Sequence, residues 1–188
     1  ELTQLQTILQ NQVARFGNNV FKEGAVVEPG GVNVNPQYEF IKLDETDPSH
    51  VMPTDVTSLV GKTVTGQTSS IEATIIEAVA AAGGDPATLY VKYTNTSSAQ
   101  SSADIVTQRM TSNEIMDVSD GTDLKVKLAT ISDPSTGRGT QVTLRSGIYY
   151  ARGNFVFTQD QSKIISKYTD NPNTKIGFKA VEEVVTAS

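Results

Sequence analysis

Apolar residues fall at Leu2, Leu5, Leu9, Val13, Phe16 and Val20, at spacings of three and four, which predicts an amphipathic α-helix with one apolar stripe. Glutamines and Asn11 fill the other face, and Gly17-Asn18-Asn19 supplies a C-terminal stop, so the helix is expected over residues 1–19. Beyond it the period changes to that of strands. Phe21 to Glu28 and Val32 to Leu43 carry β-branched and aromatic residues around Pro29-Gly30-Gly31, which reads as a hairpin or meander. Asp44 to Asp55, with Pro48 and Pro53, reads as a loop and a domain boundary.

A second β unit is expected from Val60 to Gly66, Ile71 to Val79 and Leu89 to Thr94, joined through residues 66–70 and 83–86. Strands this short and closely spaced predict a small barrel or a curled sheet rather than a flat one. Asn95 to Asp104 is Ser-, Thr- and Asn-rich and reads as an exposed loop, and Ile105 to Met116 as a short helix or an irregular segment. Strands are expected again at Leu124 to Ile131 and Thr140 to Leu144, around a turn at Asp133 to Gly137. Ser146 to Phe157 reads as two aromatic-rich strands bent at Arg152-Gly153-Asn154. Ser162 to Lys167 and Lys175 to Val185 complete the series, the second entered by a turn at Asn171-Pro172-Asn173. The expected class is mainly β, with an N-terminal helix followed by short antiparallel strands. The expected domains are the helix, a discontinuous β domain over 20–54 and 140–188, and a barrel-like insertion over 55–139.

Composition narrows the chemistry. The 188 residues include no Cys, which excludes disulfides and thiolate metal sites, and a single His50 in a Pro-flanked loop, a poor basis for zinc or imidazole catalysis. A net charge of -6 with dispersed acids argues against nucleic acid as a partner, and no apolar run approaches the roughly 18 residues of a membrane span. Glu1 falls inside the helical pattern and Val184-Val185-Thr186 reads as a strand or exit segment, so the chain is expected to be an excerpt or a processed product.

Candidate sites resolve mostly into structure. The carboxylates Asp44, Glu45, Asp47, Glu182 and Glu183 lack an apolar frame that would split their pKa values and read as solvated surface. Asp117, Asp120, Gly121 and Asp123 offer oxygen ligands without the spacing of a calcium loop, so they read as a turn. Gly137-Arg138-Gly139 lacks a strand-to-helix context and reads as a flexible hairpin tip. No catalytic, cofactor or metal residue is assigned. The helix stripe either docks on the chain's own sheet or self-associates, and strand aromatics belong to a core or a subunit interface more often than to a sugar platform. The expected oligomer interface is Leu2, Leu5, Leu9, Val13, Phe16, Tyr149 and Phe155.

The motifs Glu1-Leu2-Thr3-Gln4-Leu5-Gln6, Arg15-Phe16-Gly17-Asn18 and Phe21-Lys22-Glu23-Gly24-Ala25-Val26-Val27 resemble the opening of a domain family of unknown function. That family occurs near the N-termini of virion structural proteins of tailed phages, including cyanophages. Leu59 to Gly66, Asp85 to Tyr93, Gly147 to Val156, Lys167 to Gly177 and Glu182-Glu183 look like it too, so the resemblance spans nearly the whole chain. It implies a place in a tail, baseplate or tail fibre, often as the anchoring part of a longer fibre, among other tail or baseplate proteins. It supplies no catalytic residues.

Three functions compete; the first is the one expected, and the chain is not expected to be an enzyme. The first is a virion assembly module, homotrimeric through the helix stripe and strand aromatics. The second is a glycan-binding module that meets the host surface through residues 95–104, 117–123 and exposed tyrosines. The last is a polysaccharide-degrading enzyme with a carboxylate pair.

Overall fold

The computed structural model describes residues 2–28, 30–46, 53–95, 109–119, 126–131 and 134–181. The chain is mainly β: helix α1 (Leu2–Val20) precedes antiparallel strands. These are β1 (Val26–Glu28), β2 (Val32–Lys42), β3 (Thr63–Gly66), β4 (Glu72–Val79), β5 (Thr88–Asn95), β6 (Ile115–Ser119), β7 (Val126–Ala129), β8 (Thr136–Leu144), β9 (Gly147–Ala151), β10 (Asn154–Thr158) and β11 (Gln161–Ser166). Two compact units divide them. One takes residues 1–35, 141–165 and 172–188, the other 36–140 and 166–171. The first cut falls inside β2, ahead of the acidic loop at 44–55 where the sequence suggested a boundary.

The second unit holds the apolar core. Ile41, Leu43, Leu59, Val64, Ile75, Leu89, Val91, Met116 and Val118 cluster there, each almost or wholly removed from water. Alternation explains it: β3 and β6 bury every second residue, so one face of each strand meets the core. In β4 the alternation slips at a bulge between Ile75 and Glu77, and Ile76 emerges exposed. Strand order within this unit is β8-β2-β5-β4-β3-β6-β7. The sheet turns back far enough for Leu43 to bridge Thr130, but among the described residues it closes no barrel.

The other unit is built on a three-stranded sheet, β1-β9-β10. The two aromatic strands expected around residues 152–154 are β9 and β10, paired Phe155 to Tyr150 and Val156 to Tyr149. Their bend places Arg152 and Gly153 both at positive φ (49° and 83°), as a two-residue hairpin turn requires.

The helix is found where expected, over Leu2–Val20, and Phe21 N–H bonds the Gly17 carbonyl at 2.7 Å just beyond its end. Three expectations need correction. β1 does not pair with β2, as the expected hairpin or meander would require; it pairs with β9, and Gly24 N–H and the Ala25 carbonyl are both taken by the Tyr150 backbone. Gly137-Arg138-Gly139 is no hairpin tip but lies inside β8, where the glycines are needed for close approach. A Cβ on Gly137 would lie 2.8 Å from the Phe40 ring, and one on Gly139 would lie 2.5 Å and 2.7 Å from the carbonyls of Lys167 and Ser166. Residues 175–181 form no strand, and 182–185 lie outside the described residues. Of the segment from Ile105 to Met116, residues 109–114 are irregular and 115–116 open β6.

Candidate functional site

Helix α1 is joined to its unit by its small residues rather than by its apolar stripe. Tyr150, on β9 and 1% exposed, donates its hydroxyl to the Ala14 carbonyl at 3.2 Å and to Asn18 Oδ1 at 2.9 Å. Gly17 is the buried residue of the helix, and a Cβ there would lie 2.6 Å from Tyr150 Cζ and Oη. Phe21 and Phe155 pack around the same ring, with centroids 5.7 Å and 5.3 Å from it. Ala14 and Gly17 lie about 100° round the helix from the middle of the stripe, at 3.6 residues per turn.

The stripe is consequently left uncovered. Leu2 (75% exposed), Leu5, Leu9, Val13 (40%), Phe16 (63%) and Val20 all face outward, with Ile8 beside them. Of the two fates open to the stripe from sequence, docking on the chain's own sheet is not the one seen. On β10, Phe155, Val156 and Phe157 (64%) are exposed too, and β10 is one of the two edge strands of its sheet. Between helix and hairpin runs a groove of about 720 Å³, lined by Leu5, Leu9, Val13 and Ala14 on one side and Arg152 to Phe155 on the other. Phe155 thus continues the apolar surface of the helix. Tyr149 is half-buried; its ring meets Phe178 at 4.9 Å, and its hydroxyl covers Gly30.

This surface carries little charge. Arg15 is the one charged residue between Leu2 and Val20. The groove's polar rim consists of amides, backbone and Arg152, whose N–H bonds the Glu23 carboxylate. Such a face can exclude water against another apolar surface, but it brings no acid, base or nucleophile to a common point.

Of the other candidates, those among the described residues serve the fold. Asp44 bonds the N–H and hydroxyl of Thr46, and Glu45 accepts the Ala87 N–H at 2.9 Å. Asp117 lies on β6 and accepts from Gln67 Nε2. Asp47, His50, Asp120, Gly121, Asp123, Glu182, Glu183 and the loop at 96–104 lie outside the described residues. Among the described residues no three His, Cys, Asp or Glu side chains converge as metal ligands, and no helix is long and apolar enough to cross a membrane.

Two carboxylates in the second unit escaped the sequence reading. Glu114, 1% exposed, accepts Thr68 and Ser69 N–H on Oε1 and Thr111 N–H and Oγ1–H on Oε2. It ties the β3–β4 turn to the approach to β6. Glu39 takes Arg109 through both oxygens, and Arg138 Nε at 2.8 Å. That hydrogen bonding raises the Arg109 pKa further above its already high value. Neither carboxylate sits in a recognisable motif, so only the tertiary structure reveals them.

Comparison with known protein families, with curated proteins and with solved structures finds no match.

Proposed function

We propose that this chain is a structural component of a tailed-phage virion, placed in the tail, baseplate or fibre, and that the apolar face of α1 is the surface by which it joins its neighbours. The observation that supports this reading is the exposure of the stripe: a helix held by Gly17 and Tyr150 presents Leu2, Leu5, Leu9, Phe16 and Val20 outward. A contiguous apolar face of this kind on a folded chain marks an interaction surface. Most of a helix's stability in proteins comes from packing of its apolar face, so covering the stripe would stabilise α1 further. The family resemblance of the N-terminal motifs supplies the setting, an anchoring module that meets copies of itself and other tail or baseplate proteins. The chemistry of the face suits joining rather than turnover, and no catalytic step is assigned.

Immunogold labelling with antibodies against the chain tests the setting on purified particles of the phage that encodes it. Label on the tail or baseplate is expected. Particles that lack the chain in both labelling and peptide mass spectrometry would contradict the reading.

A further inference from the structure

We propose that the partner of the α1 face is the α1 face of further copies of this chain, joined through an eleven-residue repeat; this rests on the assembly reading above and names its occupant. The stripe repeats itself once along the helix. Leu2, Leu5 and Leu9 recur eleven residues later as Val13, Phe16 and Val20, so the apolar set is the same in both halves of α1. A seven-residue register starting at Leu2 and Leu5 would instead place Gln12 and Asn19 in the seam. Only the eleven-residue period, about 3.67 residues per turn, keeps every seam position apolar along the whole helix, and it implies a nearly straight or slightly right-handed bundle.

Two further observations favour a like helix as the occupant. The stripe side chains of α1, from Val13 at 40% to Leu2 at 75% exposed, offer on the order of several hundred Å² per chain, the scale that one partner contributes to a specific interface. With Arg15 as the one charge from Leu2 to Val20, copies brought side by side meet little mutual repulsion. A differently charged partner would find almost nothing on this face to recognise.

Sedimentation equilibrium of the full chain up to roughly 100 μM tests the proposal. The wild type is expected to associate reversibly. Leu5→Glu/Leu9→Glu should weaken association by at least about 100-fold, the loss expected when two buried leucines are replaced by charges. The off-stripe control Gln4→Glu/Thr7→Glu should associate like the wild type. Circular dichroism melts accompany each variant, and since Leu5 and Leu9 are exposed in the single chain, the folded signal should persist. A wild type that remains monomeric, or a stripe variant that associates as well as the control, would overturn the proposal. Monomeric chain that still labels the tail would mean a different virion protein covers the stripe, and the assembly reading would stand. Absence of the chain from particles removes that reading whatever the sedimentation shows.

Discussion

Tyr150 lies against the face of Gly17, and its hydroxyl reaches past that glycine to Ala14 and Asn18 of the same helix. This contact decides how α1 is presented. A larger residue at 17 would hold the tyrosine off, and a stripe-inward docking would need the apolar residues where Ala14 and Gly17 stand. The glycine therefore fixes which side of the helix meets the sheet, and the apolar side is left for something else.

Gly17→Ala is expected to destabilise the chain. In an exposed helix interior the same change stabilises by roughly 1 kcal/mol, so the sign is diagnostic. Here the added methyl meets a ring held by Phe21, Phe155 and two hydrogen bonds, and an overpacking cost of about 1 to 3 kcal/mol outweighs that gain, for a net loss of up to about 2 kcal/mol. Thermal melts combined with hydrogen exchange at α1 amides check this. A raised melting temperature would contradict it.

Gly139→Ala should cost about 1 to 3 kcal/mol, because its methyl would meet the backbone carbonyls of Ser166 and Lys167, which cannot turn aside as a side chain can. Denaturant unfolding measures the loss. Wild-type stability in this variant would show that β8 does not need glycine there.

Glu114→Gln is expected to lower stability by about 2 to 4 kcal/mol. Each carboxylate oxygen accepts two hydrogen bonds, and an amide would turn an NH2 donor toward N–H groups that are already donors, leaving buried groups unpaired. Chemical denaturation of the purified variant gives the value. A change below about 0.5 kcal/mol, the usual scatter of a surface substitution, would rule out this role.

Alkaline pH should unfold the second unit cooperatively. Burial, as the largest cause, raises the pKa of Tyr90 and of Tyr93 above the ordinary phenol value. A group whose pKa is higher in the folded state contributes its stability fully below the unfolded value near 10, and that contribution is lost as pH rises toward the folded value. Phenolate absorbance from these two tyrosines is expected to appear together with loss of the β signal in circular dichroism. Independent titration near pH 10 with the fold intact would contradict the burial of Tyr90, wholly removed from water, and of Tyr93, packed against the core.

Much of the fold was legible because its signals are local. The spacing from Leu2 to Val20 gave α1, and the aromatic alternation around Arg152-Gly153 gave β9 and β10 with their turn. What was not legible depends on partners far along the chain. Gly17, Gly137 and Gly139 look like stops and turns in sequence, yet each is a place where another segment comes close, and nothing near them in the chain names Tyr150, Phe40 or Lys167. Likewise β1 reads as the partner of β2, although β9, more than 100 residues onward, takes its edge. The stripe of the candidate site was readable from Leu2, Leu5, Leu9, Val13 and Phe16. Its outward orientation was not, since that follows from Tyr150.

The absence of cysteine from the chain permits a direct test of the apolar face. The measurement is the alkylation rate of Leu5→Cys as a function of protein concentration, with Gln4→Cys as the off-stripe reference. The expected result is a freely reactive thiol in dilute solution and at least about tenfold protection at concentrations where the chain associates, while Gln4→Cys stays reactive throughout. Protection of Leu5→Cys already at high dilution would mean the chain covers its own stripe. Equal reactivity of the two thiols in the associated state would mean that copies meet elsewhere, and either result would contradict the account.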